Sequence, residues 1–172
     1  MHSRNIAVNS FLRGDDGLVD IEASIGDVKH QSFRLFSGVV LKAGEPQHRM
    51  RLRVSIDGDL VIREVAAEMT AVPSPDSCHE IKTAYEKLVG LKIGPGFRTK
   101  VIEHVGGVNG CTHITDLIWS ITTVAFQSVA MIRDTLRDPD RPPFQLNSCH
   151  TWDARGEAIR NHFPRWHKRA EP

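Results

Sequence analysis

The stretch Gly110–Arg133 constrains this chain more than any other. Ile114, Leu117, Ile118, Ile121, Ala125, Val129 and Ile132 recur there at three- and four-residue steps, which is the period of one buried helix face. The spacing predicts a long amphipathic helix beginning near Thr112, with the Thr112 hydroxyl as its N-cap. Cys111 then stands just ahead of the helix, His113 in its first turn and Asp116 one turn on. A thiol at that end feels the positive pole of the helix dipole, which favours the thiolate and makes it a better nucleophile or metal ligand.

A helix with one apolar stripe needs a surface to cover, and the first half of the chain offers one. Val19, Ile21, Ala23 and Ile25 alternate with Asp20, Glu22 and Ser24, the two-residue period of a half-buried strand, and Gly26-Asp27 reads as a turn. Ser32–Leu41 is expected to be a second strand of less clean alternation. His48, Met50, Leu52, Val54 and Ile56 alternate with Arg49, Arg51, Arg53 and Ser55; Asp57-Gly58 follows as a two-residue hairpin turn. Leu60–Val72 returns as the partner strand, with both of its faces mixed. Further on, Ser77 and Glu80 have capping-box spacing, Ile81, Ala84, Tyr85 and Leu88 mark a helix face, and Gly90 stops it.

The expected fold class is therefore α+β, an antiparallel sheet from the N-terminal half packed against helices of the C-terminal half. At 172 residues the chain is expected to form a single domain. Residues 1–16 read as an N-terminal arm with room for a short strand, Asp138–Pro143 as an exposed connector, and 153–172 as a basic and aromatic C-terminal tail containing Phe163, Trp166 and Arg169.

With 22 basic and 21 acidic residues the charge is balanced, so neither nucleic acid nor an anionic membrane is the expected partner. A small-molecule substrate is, with a homo-oligomer left open. Thr, Ser and Gln interrupt even the long helix before the roughly 20 apolar residues of a bilayer span. The N-terminus lacks a signal-peptide core, and the expected location is the cytoplasm.

Each of the three cysteines has a histidine beside it or one residue away: Cys78-His79, Cys111-Thr112-His113 and Cys149-His150. Thiolate and imidazole are a ligand pair suited to zinc and ferrous iron, while the lack of any C-x-x-C pair argues against a structural zinc knuckle. The leading expectation is a small metal-dependent enzyme, a lyase or hydrolase. Cys78, Cys111 and His113 bind a divalent zinc or iron ion, with His79, Cys149 and His150 as further candidate ligands. His48, Glu68 or Asp116 then move protons on a small polar or aromatic metabolite. The bland alternative is that the thiols are small buried apolar groups. A second functional class needs no metal: Cys111 as nucleophile, His113 or His79 as base, and Asp116 or a strand carboxylate orienting it, in a thiol enzyme or a sulfur or iron–sulfur carrier. The Arg49, Arg51, Arg53 stripe is a solvated strand face, or an anion-binding one.

Several segments carry a resemblance. Gly17-Leu18-Val19-Asp20-Ile21-Glu22-Ala23, His48-Arg49-Met50, Ala67-Glu68-Met69, Gly110-Cys111-Thr112-His113, Cys149-His150 and Phe163-Pro164-Arg165-Trp166 together resemble an uncharacterised bacterial domain family of unknown function. That resemblance implies a stand-alone bacterial cytoplasmic protein and assigns no activity. The order of strands, then a helix opened by Cys78, then one opened by Gly110-Cys111, is also similar to NifU-like iron–sulfur scaffold proteins. Their Cys-Gly-Asp is here Cys78-His79-Glu80.

Overall fold

A computed structural model of the chain describes residues 1–135 and 140–168. Of the segments expected from sequence, Asp138 and Pro139 of the connector and Arg169 of the tail lie outside the described residues. The chain falls into two compact units, 1–129 and 130–172.

The first unit is built on a four-stranded antiparallel sheet in the order β1-β2-β5-β6: β1 His2–Leu12, β2 Val19–Lys29, β5 Pro46–Ile56 and β6 Ile62–Ala71. The predicted alternation holds in β2 and β5, where Val19, Ile21, Ala23, Ile25, Met50, Leu52, Val54 and Ile56 are all buried. On the other face of the sheet Arg49, Arg51 and Glu68 line a shallow hollow of about 300 Å³. The fold is thus the expected α+β arrangement, with sheet in the N-terminal half and helices in the C-terminal half.

Several local expectations are corrected. Gly26-Asp27 does not turn the chain, since β2 runs through both residues to Lys29. The N-terminal arm is instead an eleven-residue edge strand, β1, paired along its length with β2. Ser32–Leu41 does not join the sheet; β3 (Phe33–Arg34) and β4 (Val40–Leu41) pair only with each other. With Phe36, Val39 and Val40 exposed, that segment offers no apolar face for the core. The β5–β6 turn is longer than Asp57-Gly58. The Asp57 carboxylate accepts from the N–H groups of Asp59 and Val61, and Leu60, not Gly58, takes the positive φ of 64°.

Helix α1 (Pro75–Glu80) starts at a proline with Ser74 in the N-cap position, so the Ser77–Glu80 capping box is not formed. A 3-10 turn, Lys82–Leu88, then buries Tyr85 and Leu88, and Gly90 ends the segment at φ 86°. Helix α2 (Phe97–Val105) buries Phe97, Val101 and Val105. Helix α3 (Thr112–Thr135) buries Ile114, Leu117, Ile118, Ile121, Ala125 and Val129, the stripe the spacing predicts except for Ile132, which is half-buried. By length and mean apolarity α3 also qualifies as a membrane span, contrary to the expectation from its interruptions. Its apolar stripe, however, is spent on the core of the unit.

Two contacts fix the direction of α3. Asp116 accepts from Arg4 Nη1 at 2.8 Å, and Ser128 Oγ donates to Ser10 Oγ at 2.8 Å. Six residues of strand and twelve of helix each span about 20 Å, so α3 runs alongside β1 in the same direction.

The second unit folds in part of the expected tail. Its 3-10 turn His150–Trp152 and helix α4 (Glu157–His162) bring the Trp152 and Phe163 rings to 5.5 Å. Ala154 and Ile159 are buried, and Lys168 N–H donates to the Ala154 carbonyl at 2.9 Å.

Candidate functional site

Register alone aligns three polar residues across the sheet. Arg4 of β1 is the cross-strand partner of Asp27 of β2, and Asp27 is the partner of His48 of β5. Asp27 continues the inward series Val19, Ile21, Ala23, Ile25, so its carboxylate points under α3 and is fully buried. Directly beyond it the β2–β5 register shifts between Asp27 and Val28, the mark of a bulge at this end of the sheet.

The first turn of α3 completes the group. Cys111 is its N-cap, the Thr115 N–H donating to the Cys111 carbonyl at 2.9 Å, one residue earlier than expected. The buried Tyr85 hydroxyl pins that residue, donating to the Cys111 carbonyl and accepting from its N–H, each at 2.8 Å. Gly110 lets the chain enter: a Cβ there would lie 2.0 Å from the Val105 carbonyl oxygen. At Gly110 the backbone therefore passes tightly against the end of α2.

So held, His113 lies over the strands. Its Nε2 is 3.5 Å from Asp27 Oδ2, its Nδ1 3.8 Å from Cys111 Sγ, and its ring stacks on that of His48 with centroids 3.7 Å apart. His48 Nδ1 bonds the same Asp27 oxygen at 3.1 Å. Arg4 grips the carboxylate with two bonds, Nε to Oδ1 at 2.8 Å and Nη2 to Oδ2 at 2.9 Å. His2 Nε2 stands 3.3 Å from Oδ1.

The charge states follow from this packing. Burial raises the Asp27 pKa, but the Arg4 bonds and charge, with His48 and His113, outweigh it and hold the carboxylate below its ordinary value. Burial and the neighbouring His113 push His48 down to about 4 against the pull of Asp27. Burial likewise lowers His113, again opposed by Asp27. At neutral pH the site is one carboxylate beside two uncharged imidazoles.

Among the described residues, Asp27, His48 and His113 form the group whose potential ligand atoms all lie within 4.8 Å of one another. The cysteines do not assemble as expected from sequence. Cys111 is half-buried beside His113, but Cys78 and His79 lie on α1, half-buried and exposed respectively, and among the described residues no group of three includes them. Cys149 and His150 are exposed at the 3-10 turn of the second unit. Glu68 pairs with Arg51 on the other face of the sheet, opposite to His48, because a strand sends neighbouring residues to opposite faces. Asp116 does reach the group, through Arg4.

Sequence reasoning missed Asp27, Arg4 and His2. The signal for Asp27 is present: it stands two residues past Ile25, at the next inward position of the same alternation. Nothing local marks Arg4, whose role depends on β1 pairing with β2.

A family model described as a protein of unknown function (DUF2889) matches residues 2–127. The chain belongs to this family. The DUF2889 match runs from β1 into α3 and so contains Arg4, Asp27, His48, Cys111 and His113, and it ends before Cys149 and His150. No curated protein and no solved structure matches the chain.

Proposed function

We propose that this DUF2889 protein is a small cytoplasmic metal-dependent enzyme, a lyase or hydrolase of a small polar or aromatic metabolite, with Asp27, His48 and His113 as the metal ligands. The observation that carries this is the approach of their ligand atoms to within 4.8 Å in the protonation states that ligation needs, an ionised carboxylate and neutral imidazoles. Two histidines and one carboxylate leave coordination positions open for substrate and suit ferrous iron or zinc. Arg4 is the natural competitor, because its guanidinium already neutralises Asp27. It also bonds Asp116, which can retain it when an ion enters.

The test is metal content and titration of the purified protein. One zinc or ferrous ion per chain is expected, lost in Asp27→Asn and in His48→Ala/His113→Ala. Failure of the wild type to retain or take up either ion would end the proposal.

A second activity is favoured by one specific contact chain, Cys111 Sγ to His113 Nδ1 at 3.8 Å and His113 Nε2 to Asp27 Oδ2 at 3.5 Å. It is the order of nucleophile, base and orienting carboxylate that a thiol enzyme or sulfur carrier uses. Elemental analysis separates the two: bound sulfide or an iron–sulfur chromophore lost in Cys111→Ser supports the carrier, and stoichiometric colourless metal unaffected by Cys111→Ser supports the enzyme.

A further inference from the structure

The two edges of the sheet are finished differently. At β6, Ile62 exchanges backbone bonds with Gly90 and Leu91, and Val61 bridges to Lys92; the strand itself carries Arg63, Glu64 and Glu68. Charge and covering chain are the usual means of keeping an edge from pairing with another molecule. Among the described residues, the outer edge of β1 has neither over residues 5–12. From Asn5 to Leu12 it holds no charged residue and no proline, it pairs with β2 without a register shift, and Ile6, Phe11 and Leu12 are 39%, 55% and 64% exposed.

The ladder also shows which backbone groups are free. The bonds flanking it, Arg13 N–H to the Leu18 carbonyl and His30 N–H to the Met1 carbonyl, both belong to odd-numbered residues on the β1 side. Antiparallel pairs alternate between bonded and non-bonded. Ser3, Asn5, Ala7, Asn9 and Phe11 therefore spend their backbone groups on β2, while those of His2, Arg4, Ile6, Val8, Ser10 and Leu12 point outward.

We infer that β1 pairs antiparallel with β1 of a second copy of this chain, joining two sheets into one of eight strands. The register with full overlap puts Ala7 on the two-fold axis. His2 then faces Leu12 of the partner, Arg4 faces Ser10 and Ile6 faces Val8, all as hydrogen-bonded pairs built from the outward-pointing groups. Asn5 faces Asn9 and Ser3 faces Phe11 as the closer, non-bonded pairs. The strand is self-complementary in this register. No like charges meet, the two Arg4 side chains lie well apart, and the exposed Ile6, Phe11 and Leu12 are covered. A second copy satisfies these conditions with no further assumption about a partner's sequence.

The test is the solution mass of the full chain by sedimentation or light scattering. Twice 19.2 kDa is expected. Asn5→Lys/Asn9→Lys sets lysine against lysine in both close pairs and should reduce the mass to 19.2 kDa with unchanged circular dichroism. Mixing it with Asn5→Glu/Asn9→Glu should restore the dimer. Ala7→Cys should give a disulfide-linked dimer on mild oxidation that the wild type, with its three native cysteines, does not. A wild type that sediments as a monomer, a lysine variant that stays dimeric, or an Ala7→Cys protein that fails to cross-link would each overturn the inference.

Discussion

Arg4 and Asp27 meet through two parallel charge-assisted bonds of 2.8 and 2.9 Å, with the carboxylate buried and the guanidinium about one-third exposed. Because burial is one-sided, so is the effect of breaking the pair. Arg4→Ala strands a buried charge with only histidine partners and is expected to cost about 3 kcal/mol. Asp27→Ala leaves an arginine that can turn to solvent or Asp116, and should cost less. Urea unfolding of both variants measures this. Equal losses, or a loss under about 1 kcal/mol for Arg4→Ala, would mean that the pair behaves as a surface contact.

The low pKa of His48 makes the metal-free protein acid-sensitive in a defined window. In the unfolded chain His48 takes up a proton near 6.5, and in the fold only near 4. Its contribution is fully present above 6.5 and is lost as pH falls toward 4, where the loss of about 3 kcal/mol levels off. Asp27, whose pKa is lowered from 3.8, adds to the loss only at still lower pH. Urea midpoints between pH 4 and 8 should show this slope, and His48→Gln should reduce it to the share of His113, whose pKa burial also lowers. A wild-type profile that is flat from 6.5 to 5 contradicts the assignment.

Gly110 and Tyr85 are expected to act on the site without touching it. Gly110→Ala places a Cβ against the Val105 carbonyl oxygen, an atom of the backbone that cannot swing aside, and should cost roughly 3 kcal/mol or more. Tyr85→Phe removes the hydroxyl that serves both Cys111 backbone groups and should cost about 2 kcal/mol. Thermal unfolding reports both. If α3 starts where it does because of this anchor, Tyr85→Phe also weakens metal uptake while Cys111→Ser does not.

The residues that lie elsewhere should be inert toward the ion. Glu68→Gln alters the face of the sheet opposite His48, Cys78→Ser alters α1, and Cys149→Ser alters the second unit. All three are expected to keep wild-type metal content, and a loss in any of them would show that the ligand set extends beyond Asp27, His48 and His113.

Arg4→Ala carries one further consequence for the ion. Removing the competing cation beside Asp27 should tighten binding of zinc or ferrous iron, read as a lower Kd by titration, even though the fold is weakened. Weaker binding would place Arg4 among the groups that build the site.

What could be read from the chain was what repeats locally. The stripe of α3, the alternation of β2 and β5, and the turn holding Tyr85 and Leu88 are short-range patterns of apolar residues. Strands β2 and β5 bury the face the period marks, α3 buries all of it but Ile132, and the turn buries Tyr85 and Leu88 but leaves Ile81 and Ala84 half-buried. His48 and His113 were legible for the same reason: one sits on the inward side of a strand, the other in the leading turn of a helix. The cysteine–histidine neighbours misled because adjacency along a chain is not convergence in space. Cys78 lies on α1, Cys149 belongs to the second unit, and Cys111 stands beside His113.

The sequence by itself determined which face of each element is apolar, since that depends only on residue type and period. Tertiary structure decided that Arg4, Asp27, His48 and His113 meet. Strand register fixes the first three in one row, and the docking of α3, set by Gly110 and Tyr85, lowers the fourth onto it. Both are pairings between residues far apart in the chain, for which no local pattern carries a signal.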